Sequence, residues 1–366
     1  MRVIVVSIDD DTNEIKELVS SMDWETVEEV IQNRNYPDPN FFIGSGKIDE
    51  LAKLVSKNCA GSIVVNGVLK PKQIFNMEKK VGTQVLDRLH LILKIFEKRA
   101  ESKEAKLQVE LARLRYEIPM IREIIHRTKL GEHPGLFYSG GEYDVRQYYT
   151  LIRKRMKKIR ESLEKIKIAR EVKRKYRREK GFFLVSIAGY TNAGKSTLLN
   201  ALTGEKVLVD KKLFSSLSTI TRSEKYEKIL LTDTVGFISN LPPWLIEAFH
   251  STIEEIFLSD MILLVVDISE KIELIIKKIE TCIGILNTFK CPPITFVLNK
   301  IDLLNEAEKE YKLSTLSSMH LINDFVTISA KDCIGLDCLR KKILSSFGMK
   351  NYFIQKTYRQ ACLQKK

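Results

Sequence analysis

Long hydrophobic runs are missing from this chain. Even Met261 to Ile268, which Asp267 interrupts, falls far short of the ~20 apolar residues a helix needs to cross a bilayer. No secretory pattern is visible at the start, because the apolar opening Met1 to Ile8 stops at Asp9, Asp10 and Asp11, so a cytoplasmic protein is expected. Paired cysteines are absent too: Cys59, Cys282, Cys291, Cys333, Cys338 and Cys362 show no Cys-x-x-Cys spacing and read as reduced thiols. The five histidines are dispersed, which argues against a structural metal site built from His and Cys. Acidic charge is in deficit, with 47 Asp and Glu against 60 Lys and Arg. The resulting net charge of +13 favours an anionic partner, nucleic acid or an acidic membrane surface, over a neutral one. With 366 residues, 44% of them hydrophobic, there is material for two or three domains with real cores.

The most informative stretch is Gly189-Tyr190-Thr191-Asn192-Ala193-Gly194-Lys195-Ser196, which follows the apolar run Phe182 to Ala188 and precedes a helix-like run from Thr197 to Leu202. It reads as strand, phosphate loop and helix. Its glycines let successive N–H groups and a helix N-terminus face a phosphate chain. Lys195 would reach the β- and γ-phosphates, and Ser196 would ligate magnesium. Further on, the strand Lys228 to Thr232 ends in Asp233-Thr234-Val235-Gly236. Asp233 would hold magnesium through water, and the Gly236 N–H would sense the γ-phosphate. After a buried-type strand at Ile262 to Val266, the strand Ile294 to Leu298 ends in Asn299-Lys300-Ile301-Asp302. The Asp302 carboxylate can accept two hydrogen bonds from guanine N1–H and the exocyclic amine, which selects GTP over ATP. Asn299 would steady the neighbouring loops, and the Lys300 stem would cover the base face. Ser329-Ala330-Lys331 follows the strand Phe325 to Ile328, and its Ala330 N–H is expected at the guanine carbonyl oxygen.

Upstream of this domain, Arg2 to Ser7 and Gly61 to Asn66 read as strands, with helices near Lys47 to Ser56 and Pro71 to Lys80, hence a small α/β unit. Phe42 to Lys47 leads into a helix and is either a capping turn or a weak phosphate contact. From Leu91 to about Thr128 a helical period carries Ala100, Leu107, Leu111, Leu114 and Ile118, and a second helix is expected from about Asp144 to Glu179. Between them lie Gly131 to Gly135 and Gly140-Gly141, so an antiparallel hairpin is expected. The second helix seats Tyr148, Ile152, Met156, Ile159, Leu163 and Ile166 on one stripe. Its other faces carry Arg153, Lys154, Arg155, Lys157, Lys158 and Arg160, then Lys173 to Lys180. Few acids neutralise them, which favours a phosphate backbone, RNA before DNA, over a merely solvated face.

The four nucleotide motifs, in this order at strand ends, resemble a translation-factor-type GTPase domain over residues 181–346. In similar enzymes a glutamine that orients water follows the switch glycine, whereas here Phe237 does, so slow intrinsic hydrolysis is expected. Asn192 stands where some such GTPases help coordinate potassium; the alternative is that it only bonds its own loop. The run Asp233 to Glu255, with Phe42 to Leu51, Leu86 to Phe96 and Gln108 to Leu114, resembles the HflX family of ribosome-associated GTPases along nearly the whole chain.

That resemblance implies a GTPase that uses GTP/GDP and Mg2+ and binds the large ribosomal subunit and its RNA through an α/β domain (1–90) and a basic helical hairpin (91–180). The expected fold class is α/β: a P-loop GTPase domain preceded by that small α/β domain and a long two-helix hairpin. A short basic tail covers 347–366, and a monomer is expected. Catalytic candidates are Lys195 and Gly236. Candidates to hold nucleotide are Gly189 through Thr197, Asp233, Gly236, Asn299, Lys300, Asp302, Ser329, Ala330 and Lys331. Metal candidates are Ser196, Ser216 and Asp233, with Thr219 and Thr221 as rivals to Ser216 in the departing switch sequence Phe214 to Arg222. The alternative reading is a signalling GTPase that uses the hairpin as a protein docking surface.

Overall fold

The computed structural model describes residues 1–129, 142–204, 220–223, 228–234, 236–239, 242, 244–245, 254, 256–287, 291–322 and 324–348. It divides into two compact units, one holding Met1–Ala169 with short later segments and the other most of the remainder. The glycines between the long helices, Ser216, Thr219 and the terminal tail from residue 349 lie outside the described residues. Among the described residues no helix is long and apolar enough to cross a membrane.

In the first unit, β1 (Arg2–Ser7), β2 (Glu25–Ile31), β3 (Ser62–Val65) and β4 (Gln84–Asp87) form a parallel sheet in the order β2-β1-β3-β4. Parallel neighbours require crossovers, supplied here by α1 (Asn13–Ser21), α2 (Ser45–Asn58) and α3 (Pro71–Val81). Ile4, Val6, Ile48, Leu51, Ile63, Val65 and Met77 fill one core. The central strands β1 and β3 are apolar because both faces are covered. β2, an edge strand, exposes its three glutamates while burying Val30, and has no such signature. Phe42 to Lys47 is a capping turn: Gly44 sits before the first turn of α2 with extended backbone, and its N–H donates to Gln32 Oε1 at 2.7 Å.

The single helix expected from Leu91 to Thr128 is two helices, α4 (Arg88–Arg99) and α5 (Lys103–Lys129). Ala100 is extended rather than helical, and Ser102 Oγ accepts the Ala105 N–H at 3.1 Å to start the second helix. The break has a packing reason, since α4 buries Leu89, Leu91, Ile92, Leu93, Ile95 and Phe96 between the α/β layer and α5. α5 and α6 (Glu142–Glu179) then run antiparallel, as Arg155 pairs with Glu110 while Arg122 reaches Tyr149. Leu111, Leu114, Ile121, Ile152, Met156 and Ile159 close their seam.

The second unit is a six-stranded sheet in the order β10-β9-β8-β5-β7-β6. It comprises β5 (Phe183–Gly189), β6 (Ile220–Ser223), β7 (Ile229–Asp233), β8 (Met261–Asp267), β9 (Ile294–Asn299) and β10 (Phe325–Thr327), and only β6 is antiparallel to its neighbour. Helices α7 (Lys195–Thr203), α8 (Ile272–Leu286), α9 (Glu306–Ser318) and a last one over 336–348 accompany it. From β5 the chain runs out to the edge strand β6, comes back inward as β7 beside β5, and later continues on β5's other side as β8. That reversal opens a crevice at the carboxyl end of β5, where open α/β sheets bind ligands.

Candidate nucleotide-binding site

The crevice receives the loop from Gly189 to Gly194, which leads into α7 at Lys195. Asn192 takes φ 64°, a left-handed conformation that asparagine tolerates better than most residues, and its side chain is exposed. Gly194 has φ 94°, and a Cβ there would lie 2.3 Å from Asn299 Nδ2, so only glycine lets the loop close against β9. Thr191 and Ala193 are buried, while Ser196 and Thr197 are half-buried in the first turn of α7.

Lys195 is 8% exposed and donates from Nζ to Tyr190 O at 2.8 Å. Burial pushes its pKa below the ordinary lysine range, with the nearby Asp233 carboxylate opposing that shift. A phosphate oxygen would replace the Tyr190 carbonyl as a far stronger partner for this ammonium. Ser196 Oγ donates to Asp233 Oδ2 at 2.7 Å, which brings together two of the three metal candidates. Gly236 lies close against the loop: a Cβ there would sit 2.8 Å from Thr191 Cγ2 and 2.9 Å from Lys195 Nζ. Phe237 follows as a β-bridge to the phosphate loop, with its N–H on Gly189 O at 3.0 Å and its carbonyl accepting from Thr191 N at 2.9 Å. Its ring is buried, and Tyr190 Oη accepts the Ser239 N–H at 2.8 Å. Sequence reasoning missed this stitching of switch segment to loop, because backbone pairing leaves no residue-type signal.

Asn299 ties the site together. Its Nδ2 donates to Ala193 O at 2.8 Å, and its Oδ1 accepts the Ala330 N–H at 3.0 Å. The second bond engages the Ala330 N–H, the group expected at the guanine carbonyl oxygen, and closes the loop after β10 onto Asn299. Lys300 is left-handed at φ 68° and precedes the 3-10 turn Ile301–Leu303, on which Asp302 is exposed. Ser329 is buried, with Oγ accepting from Asp332 N at 3.1 Å, and Lys331 is exposed beside it. Thr221 lies on β6 opposite Thr232.

Three family descriptions match the chain in series: a GTP-binding GTPase N-terminal region over residues 9–97, a GTP-binding GTPase middle region over 99–177, and a 50S ribosome-binding GTPase over 184–300. The curated GTPase HflX of Thermococcus kodakarensis is 47% identical over 328 residues, which cover 87% of this chain and 74% of that one. The GTPase HflX of Methanocaldococcus jannaschii is 41% identical over 92% of this chain and 83% of its own length. Among solved structures, the SsGBP–GDP complex is similar with a TM-score of 0.57 and 28% identity, covering 95% of this chain and 99% of that one. A GTP-binding protein from Sulfolobus solfataricus in complex with GDP gives a TM-score of 0.52 at 28% identity, with the same coverage of both chains. The phosphate loop, Gly236 pressed on its lysine and the Asn299 to Asp302 turn, found in a chain so extensively alike these proteins, place it in the HflX family of GTPases, enzymes that hydrolyse GTP.

Proposed function

We propose that the chain is a GTP-controlled switch that binds the large ribosomal subunit through its N-terminal α/β domain and helical hairpin, in the cytoplasm and as a monomer, and acts in splitting or rescuing ribosomes. The observation that carries this reading is the one-sidedness of α6. Ile152, Met156 and Ile159 are buried in the seam, while Arg153, Lys154, Lys157, Lys158 and Arg160 are all exposed. Arg155 drops out of the phosphate-binding set, because its guanidinium holds Glu110 through two bonds of 2.7 and 2.9 Å. An uncompensated cationic face suits RNA phosphates.

In the nucleotide site the loop N–H groups would bind the phosphates and Lys195 would exchange the Tyr190 carbonyl for a phosphate oxygen. Ser196 and Asp233, an all-oxygen pair of the kind magnesium prefers, would hold the ion. When bound, magnesium supplies positive charge to the β- and γ-phosphates. The Gly236 N–H would sense the γ-phosphate. The backbone bonds of Phe237 to Gly189 and Thr191 tie that glycine to the loop, so a phosphate contact there would be felt by the segment that follows. No water-orienting side chain follows Gly236, so turnover is slow until the ribosome completes the site.

The test is binding to purified 50S subunits across a KCl series. Replacing Lys157 and Lys158 by alanine should weaken binding and flatten the salt dependence by about 0.7–0.9 log units per lost phosphate contact; an unchanged slope refutes the RNA face. A second reading, protein docking, is favoured by Ile168, Val172 and Tyr176, spaced by four on α6 and 55, 66 and 59% exposed. Complexes that survive ribonuclease would support it.

A further inference from the structure

Asp267, at the carboxyl end of β8, belongs to none of the nucleotide motifs, yet it is only 9% exposed and fully engaged. Its Oδ2 pairs with the Lys300 ammonium. Its Oδ1 accepts both the N–H and the hydroxyl of Ser269, at 2.9 and 2.6 Å. The sheet register sets Asp267 directly opposite Asn299, and the Ile268 N–H continues the pairing onto Asn299 O at 3.1 Å. Lys300 is the next residue, in the left-handed conformation that a non-glycine residue adopts at a cost, and it heads the turn that carries Asp302.

We infer that Asp267 is a positioning residue for guanine recognition. By anchoring the Lys300 ammonium it lays the aliphatic stem across the carboxyl ends of β8 and β9. It also offsets the strain of the backbone from which Asp302 projects. A lysine stem left to itself would surrender rotamer entropy on every binding event; one already tethered does not. Ser269 in turn fixes the carboxylate, so the order of action is Ser269, Asp267, Lys300, base. This inference rests on reading Asn299 to Asp302 as the base site. Because the tether acts on the base and not on the phosphates, it should govern nucleotide affinity and leave the chemical step alone.

The experiment uses the full chain and a fluorescent GDP analogue with an intact guanine. Asp267→Asn keeps the size and the acceptor for Ser269 while removing the charge. It should weaken GDP binding about tenfold, the scale of one lost charge-assisted hydrogen bond. The kcat should stay within about twofold, an estimate that follows from an effect confined to ground-state binding. In a Lys300→Met background the same change should have no further effect. Unchanged affinity, an equal loss in both backgrounds, or a loss confined to kcat would overturn the inference. Should Asp267→Asn not fold, Ser269→Ala replaces it, with an expected loss of about two- to threefold from one weakened bond and no loss as the refuting result. Asp302→Asn separates the two claims: if it keeps its preference for guanine over xanthine nucleotides, the base-site reading falls. If it switches while Asp267→Asn binds normally, only the role of Asp267 falls.

Discussion

Replacing Asn299 by alanine tests whether the nucleotide site is organised before nucleotide arrives. The side chain is 2% exposed and makes two bonds, one to the phosphate loop at Ala193 O and one to the loop after β10 at Ala330 N. Each neutral bond is worth about 1 kcal/mol net, and stranding its buried backbone partner adds part of a desolvation penalty of about 1–3 kcal/mol. The loss should therefore be about 2–4 kcal/mol. For a unit of this size about 1 kcal/mol moves the melting temperature by about 2–4 °C, so a fall on the order of 5–15 °C is expected. The assay is thermal denaturation of the nucleotide-free protein, repeated with saturating GDP, together with GDP titration. Affinity should fall at least tenfold, since loops that were joined must now be ordered by the ligand, an estimate in line with the cost of ordering a binding loop. Asn299→Asp should be intermediate in stability, because it keeps an acceptor for Ala330 but sets a carboxylate against the Ala193 carbonyl. An apo melting temperature within about 2 °C of the parent, by the same conversion, would refute the claim that Asn299 holds these loops together.

Lys195→Met should abolish nucleotide binding while leaving the apo protein at least as stable, since it removes a buried cation held by one carbonyl. Burial lowers the lysine's pKa in the folded state below its ordinary value of 10.5, so the unfolded chain binds more protons just below that pH and apo stability rises as pH climbs toward it; urea denaturation at stepped pH should show that rise in the parent and not in the variant. Arg88→Met breaks a buried ion pair with Glu14 at 2.5 Å and should cost about 3–5 kcal/mol in the N-terminal unit, read as a lower urea midpoint with GTP turnover retained. Hydrolysis assayed in KCl and in NaCl decides the part played by Asn192: several-fold faster turnover in potassium that Asn192→Ala removes assigns it to the ion, and equal rates leave it to the loop, a discrimination resting on cation size and coordination.

Much of this was legible in the chain because it depends on short-range pattern. β1 and β5 are predominantly apolar runs of the kind a doubly covered strand carries, and both were read to within a residue of their ends. The phosphate loop, Asp233 and the Asn299 to Asp302 segment were read as strand-end motifs, and they do lie at the carboxyl ends of β5, β7 and β9. The middle of the α6 stripe, Ile152, Met156 and Ile159, followed from helical period, whereas Tyr148, expected on the same stripe, is 39% exposed and Tyr149 packs on the seam in its place. What escaped was set by packing. The edge strand β2 carries charges that its exposure permits, and the break at Ala100 to Ser102 interrupts a helical period without proline or glycine.

The sequence by itself determined the class of fold, the identity of the base and the chemistry of the phosphate cradle, because residue type and spacing decide which backbone conformations and which donors are possible. Only the tertiary structure decided who bonds to whom across the crevice. It gave the Ala330 N–H to Asn299, set the Lys300 ammonium on Asp267 and stitched Phe237 to Gly189 and Thr191. Those partners lie from a few tens of residues to more than a hundred apart in other pairs of the same site, such as Asn299 and Ala193. Nothing local distinguishes one carboxylate or amide from another. Their pairing is chosen by sheet order and register, which place the ends of β5, β8 and β9 side by side.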